Sequence, residues 1–372
     1  MTRVLVAPDK FKGSLDAAEV ASALGRGLRD SGADVVELPV ADGGDGTVAA
    51  ALAAGWEPVV VTVTGPTGEP VDTVYARCGT DAVVEMADAC GMQRLTGPLA
   101  PMTATSRGLG EVIAAAVEGG ATRIVVGIGG SASTDGGAGM LSVLGARALD
   151  ASGAPVPDGG RGLAQVASLE LEGTVLDGAV LEGTVLEVAC DVDNPLTGPE
   201  GAAAVYAPQK GADPGQVRTL DAALVRWADV VARATGRDLR DSPGAGAAGG
   251  VGFAAVALLG AVLRSGADLV LDLVGIDEVL ETVDLVVTGE GSFDEQTLRG
   301  KAPAVIARRA RERGIPVVVV CGRTTLTPER ARAAGFADVL ALSDIESDLD
   351  RCMADAPALL ECTGRAVGAR FL

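Results

Sequence analysis

Five short stretches gather the side chains that can do chemistry. Residues 9–14 read Asp-Lys-Phe-Lys-Gly-Ser. Lys10 and Lys12 beside a helix start would hold an anion through charge and unsatisfied backbone N–H groups, with the Ser14 hydroxyl adding a donor. Residues 42–47 set Asp42 and Asp45 among glycines. Two such carboxylates repel unless a cation neutralises them, which suits a metal site, although aspartate also favours plain turns. Residues 129–139 read GGSASTDGGAG. Gly129, Gly130, Gly136 and Gly137 let backbone N–H groups approach a phosphate, Ser131 and Ser133 add donors, and Asp135 is a further metal candidate. Residues 191–195 read Asp-Val-Asp-Asn-Pro, where Asp191 or Asp193 suits a general base toward a hydroxyl, and Asn194 flanks them. Residues 289–297 bring Glu290 and Asp294 toward Arg299 and Lys301. Together these stretches offer acids for metal, glycine nests for phosphate and lysines for charge, which is what phosphoryl transfer requires.

Composition narrows the chemistry further. There is no histidine, so acid–base work falls to Asp, Glu, Lys or Tyr. A formal net charge of −20 argues against nucleic acid and anionic membranes as partners. An anionic substrate therefore needs local lysines, backbone N–H groups or metal. The six cysteines form no CxxC pair and read as reduced thiols. The N-terminus follows a strand pattern and no apolar run approaches the ~18–20 residues of a membrane span, so the expected location is cytoplasmic. No GxxxxGK[ST] occurs. The GxGxxG at residues 244–249 follows Asp-Ser-Pro where a dinucleotide site needs a strand.

The elements that must carry these stretches alternate as strand, loop and helix. Strands are expected at residues 4–7 and 34–40, with helices at 15–29, capped by Ser14, and at 47–54. An antiparallel meander is expected over 58–64, 71–78 and 82–86, then a helix at 106–117 and a strand at 123–128. A helix running to residue 149 follows the glycine stretch. Strand 186–190 precedes the acidic pair, and residues 214–234 are helical. The tail alternates again: strands at 285–288, 316–321 and 339–342, helices at 302–313 and 327–334. A tandem LEGTVL at residues 171–176 and 181–186 reads as a duplicated surface connection. This organisation implies a discontinuous parallel α/β domain, residues 1–60 and 275–372, with residues 61–274 inserted as a second α/β domain and a cleft between them.

Seven stretches resemble the bacterial glycerate kinase family, in that family's order: APDKFKGS (7–14), ADGGDGT (41–47), GGSASTDGGAGM (129–140), ACDVDNPL (189–196), PQKGA (208–212), PGAGAAGG (243–250) and TGEGSFDEQTL (288–298). The resemblance implies ATP-dependent phosphorylation of D-glycerate to 2-phosphoglycerate with Mg²⁺. It also implies two dissimilar α/β domains, one Rossmann/flavodoxin-like and one restriction-enzyme-like, in a monomer or homodimer. The departures are Lys10, where the family often has Ser, and Arg107-Gly-Leu-Gly110. Carried onto this chain, Asp191, Asp193 and Lys10 are the expected catalytic groups. Lys12, Ser14, Arg107, Asn194, Glu290 and Asp294 would bind substrate, and Asp42, Asp45 or Asp135 would hold Mg²⁺. Residues 129–137 would cradle ATP. Two other readings stay open: a kinase for another small hydroxy acid, and a non-catalytic sensor of sugar acids.

Overall fold

The computed structural model describes residues 1–171 and 183–372; most of the tandem repeat, at residues 172–182, lies outside the described residues. The chain divides into two compact units. Met1–Asp42, Ala49–Gly55 and Gly266–Leu372 form one; Gly43–Val48 and Trp56–Ser265 form the other. The second unit thus opens at residue 56 and the first resumes at 266, rather than at the expected 61 and 275, and Gly43–Val48 joins the second unit.

The first unit is built on a parallel five-stranded sheet in the order Asp338–Ala341, Val317–Thr324, Leu285–Phe293, Arg3–Pro8, Asp34–Glu37. Its central strands are near-continuous apolar runs because both faces are covered. Val4, Val6, Val287 and Val320 pack with Leu24 and Leu28 of the helix Ala17–Asp30, and with Leu360 and Val367 of the helix Ala356–Phe371. Leu5, Val286 and Val319 face the other way, onto Ile306 of Ala302–Glu312 and Leu271 of Gly266–Leu273. Each such side chain contributes roughly 1.5–3 kcal/mol of transfer free energy.

Two expectations in this unit need correcting. The first helix is capped by Asp16, not Ser14. Asp16 Oδ1 accepts from Glu19 N at 2.8 Å while Glu19 Oε2 accepts from Asp16 N at 3.0 Å. Such a reciprocal box needs Glu or Gln three residues on, which Asp16 has and Ser14 lacks. The Ser14 hydroxyl instead donates to Met353 O at 2.8 Å. The strand expected to stop at residue 288 runs on to Phe293, because Glu290 and Ser292 stay in register with Cys321 and Arg323.

The second unit holds a mixed six-stranded sheet in the order Val262–Arg264, Val185–Ala189, Arg123–Gly127, Asp81–Glu85, Pro70–Cys78, Glu57–Thr64. The last three form the antiparallel meander; the first four pair in parallel. Its core gathers Ile113, Ile124, Val126, Met140, Leu224, Trp227 and Phe253. The helix after the glycine stretch covers only Ala138–Val143; Gly145, at φ +102°, ends it, and Arg147–Leu149 pairs with Ser168–Glu170 as a small antiparallel hairpin. Among the described residues no helix is long and apolar enough to cross a membrane.

Candidate active site

The strands Asp81–Glu85, Arg123–Gly127 and Val185–Ala189 lie side by side and parallel, so the segments leaving their carboxyl ends emerge together. That edge is where open α/β sheets take their ligands. Glu85 closes the first strand and is 4% exposed. Its carboxylate accepts from Gly46 N at 3.0 Å and Val48 N at 3.1 Å, satisfying N–H groups where the helix Thr47–Ala53 begins. Thr47 Oγ1 donates to Gly44 O at 2.7 Å. The half-buried Asp45 is therefore presented by a turn that Glu85 fixes. Glu85 was not foreseen; its only signal is an acid ending the apolar strand Ala82-Val83-Val84.

The second strand leads into residues 129–137, and the structure divides this stretch into an outer tip and a buried root. Gly129 is half-buried and Gly130 exposed, while Ser131 to Gly137 are buried. A Cβ on Gly129 would come within 2.6 Å of Gly44 Cα, so the tip lies directly against residues 43–46. The root is packing. Trp227 Nε1 donates to Gly136 O at 3.0 Å and Gly136 N donates to Gly249 O at 2.9 Å. The hydroxyls of Ser133 and Thr134 are buried without a hydrogen-bond partner. Gly136 has φ +63° and its Cβ would meet Trp227 Cδ1 at 2.5 Å. Gly136→Ala is expected to cost about 2–4 kcal/mol through overpacking and left-handed strain. The check is a lower urea midpoint with unchanged m-value.

Asp135 stands apart from its expected role as a metal ligand. It is wholly buried. Oδ2 accepts from Ser106 N and Oγ, both at 2.8 Å, and from Gly139 N at 3.3 Å; Oδ1 accepts from Gly137 N at 3.1 Å. Burial raises its pKa, and these bonds only partly offset the rise. Its lone pairs are directed at protein donors, which ties the glycine stretch to the segment before the helix Arg107–Glu118.

The third strand delivers Asp191 and Asp193, both exposed, and the half-buried Asn194. Asn194 Nδ2 donates to Glu200 O at 2.8 Å, Tyr206 OH donates to Asn194 Oδ1 at 2.6 Å, and Gly246 N donates to Asn194 O at 2.9 Å. Asn194 is thus the fastener of the acidic turn. The glycines of 244–250 serve here too: a Cβ on Gly246 would lie 2.3 Å from Pro195 O. Arg107 grips Asp158 with both ends of its guanidinium, Nε–Oδ2 at 2.9 Å and Nη2–Oδ1 at 3.1 Å. The pair lines a cavity of about 210 Å³ together with Arg147, Ser142 and Leu163.

In the first unit, Asp9 and Lys10 follow the carboxyl end of Arg3–Pro8, and Glu290 lies within the neighbouring strand Leu285–Phe293. Glu290 is 6% exposed; it accepts from Thr297 Oγ1 and, at 3.3 Å, from Lys301 Nζ. Burial raises its carboxyl pKa, and the Thr297 and Lys301 contacts only partly offset the rise. Asp294 Oδ1 accepts from Gln296 N at 2.8 Å, which closes a turn. Lys12 is exposed and Lys10 half-buried. Asp9 accepts from Lys10 N at 2.6 Å. Burial first, then the neighbouring Asp42 carboxylate, pushes its pKa up to about 7. Asp9 and Lys301, which the sequence sets in or near these stretches without a role, thereby join the group.

A folded-state pKa above the unfolded value of 3.8 means that the folded chain holds this proton more tightly. The contribution to stability is complete below pH 3.8 and is lost as pH rises through about 7. It amounts to at most about 4 kcal/mol. In metal-free buffer, the urea stability of Asp9→Asn is therefore expected to fall less than wild type between pH 4 and 8. Parallel pH profiles for the two proteins would count against the shift.

Mixed α/β units with parallel sheets, bearing acid- and glycine-rich turns at their carboxyl edges, define the class of protein. The model of the glycerate kinase family matches residues 4–372, and the chain belongs to that family. It is 42% identical over 373 residues to "Glycerate kinase" of Bacillus subtilis (strain 168), covering 99% of this chain and 97% of the relative. "Glycerate 2-kinase" of Escherichia coli (strain K12) is 42% identical over 335 residues, covering 87% and 86%. The crystal structure of a Salmonella typhimurium LT2 protein assigned as glycerate kinase 2 superposes with TM-score 0.84 at 41% identity, covering 99% of this chain and 97% of that one.

Proposed function

We propose that this chain transfers the γ-phosphoryl group of ATP to a hydroxyl of D-glycerate, giving 2-phosphoglycerate and ADP in the cytoplasm. The observation that carries the reading is the convergence of three neighbouring parallel strands on a fixed turn, a glycine tip and an acidic pair. The Escherichia coli relative's name supplies the position of phosphorylation. In the reaction, the glycerate oxygen forms a bond to the γ-phosphorus, the bond from that phosphorus to the bridging β–γ oxygen breaks, and the hydroxyl proton passes to Asp191 or Asp193. Lys10 and Lys12 are the first unit's candidates for offsetting anionic charge. The exposed N–H groups near Gly129 and Gly130 take the role of the phosphate cradle. Ser133, Gly136 and Gly137 support it from below.

Among the described residues no group of three or more His, Cys, Asp or Glu is placed to hold a metal ion. This donor set fits Mg²⁺ arriving with the nucleotide, since that ion is commonly held by one or two carboxylates, phosphate oxygens and water. Asp45, on the turn that Glu85 fixes, is a carboxylate for it, and bound Mg²⁺ would supply charge neutralisation on the phosphates. Comparing kcat/KM for glycerate, lactate, tartronate and glycolate tests the acceptor. Glycerate is expected to lead, and a tenfold or greater preference for any other acid would overturn the assignment.

A further inference from the structure

Residues 208–212 match the family's order of motifs, yet the reading above gives them no task. Lys210 closes the short turn Pro208–Lys210 and is 2% exposed. Its ammonium donates to Ser131 Oγ at 2.8 Å and to Ser133 O at 2.5 Å. Burying an ammonium is costly, and a well-packed apolar side chain at such a site is often no worse for stability. The nearby buried Asp135 carboxylate offsets part of that cost, and the rest of the gain is sought in what the ammonium holds. Both acceptors lie directly beneath the outer tip Gly129–Gly130, and Met92 N adds a bond to Gly130 O at 2.9 Å. Trp227 and Asp135 hold only the far end of the same stretch, at residues 135–139.

We propose that Lys210 is a positioning residue that presets the nucleotide-binding tip of the glycine stretch, acting through Ser131 and the Ser133 carbonyl. The inference rests on the reading of residues 129–131 as the cradle for ATP phosphates. A backbone cradle works only if its N–H groups are oriented before the ligand arrives. The two Lys210 bonds set the Ser131 side chain and the Ser133 peptide, leaving the half-buried Gly129 and the exposed Gly130 to meet solvent. Without the ammonium, both acceptors lose a partner inside the protein, and the tip keeps the Met92 N–Gly130 O bond but loses the side-chain anchor behind it.

The test is a double-mutant cycle on the full chain. Lys210→Met, Ser131→Ala and the double variant are compared by calorimetric ATP binding in Mg²⁺ and by KM for each substrate, after far-UV circular dichroism confirms folding. Lys210→Gln, neutral and still a donor, serves if the methionine variant does not fold. The expected result is roughly ten- to a hundredfold weaker ATP binding for each single variant. The double variant should be no worse than the weaker single, and KM for glycerate should stay within about twofold of wild type. A merely structural role would weaken both substrates together. If Ser131→Ala weakens ATP binding while Lys210→Met does not, or if the two effects add, the role of Lys210 is overturned alone. If Ser131→Ala leaves ATP binding unchanged, the phosphate-cradle reading falls and takes this inference with it.

Discussion

Asp191→Asn is expected to lower kcat by roughly 10²–10⁴-fold, the contribution typical of a positioned general base, while the far-UV spectrum and melting temperature stay at their wild-type values. The carboxamide copies the shape of the carboxylate and cannot take up the hydroxyl proton. The turn keeps anchors that do not involve this carboxylate. Cys190 N donates to Arg264 O at 2.9 Å, and Asn194 is fastened by Glu200, Tyr206 and Gly246. Asp193→Asn is the paired measurement. Near-normal turnover in Asp191→Asn with collapse in Asp193→Asn would move the base to Asp193. Near-normal turnover in both would remove this acidic turn from the chemistry.

Asp135→Ala is expected to act on stability before it acts on rate. The substitution strands the N–H groups of Ser106, Gly137 and Gly139 and the Ser106 hydroxyl in a place without water. Breaking a buried charged network in this way costs about 3–5 kcal/mol. The urea midpoint should fall accordingly with the m-value unchanged. A metal ligand would behave in the opposite manner: the metal-free protein would keep its stability, and the Mg²⁺ dependence of activity would shift instead. A wild-type midpoint in Asp135→Ala would therefore return Asp135 to the list of metal candidates.

How far the sequence is legible differs between the sheet edges and the side chains that brace them. Both-face apolar runs such as Val4–Ala7 and Val317–Val320 announce parallel strands directly, and the turns after them are marked by glycine and aspartate. The division of residues 129–137 into tip and root is a long-range fact. It depends on Trp227 and Gly249, whose distance along the chain hides their contact with Gly136. Glu85 is hidden for the same reason, since its partners are the backbone of Gly46 and Val48. Asp16 is different: its capping box with Glu19 is written locally, and the more conspicuous Ser14 draws attention from it. The strand through Gly289–Phe293 defeats a local reading because glycines normally weaken strands, and pairing with Cys321 and Arg323 overrides that preference. Ser14, Asn194 and Asp294 look like ligand-binding side chains from their types alone; Ser14 and Asp294 each bond a backbone group, and Asn194 bonds the Glu200 carbonyl and the Tyr206 hydroxyl.

The central claim meets its most direct test in one incubation of the purified full chain with D-glycerate, ATP and Mg²⁺, following ADP release and the ³¹P spectrum of the product. The account predicts ADP formation that depends on glycerate and a phosphorus resonance of 2-phosphoglycerate. ADP formation with the 3-phosphoglycerate resonance would contradict the assigned position of transfer, and ADP release that does not depend on glycerate would contradict the activity itself.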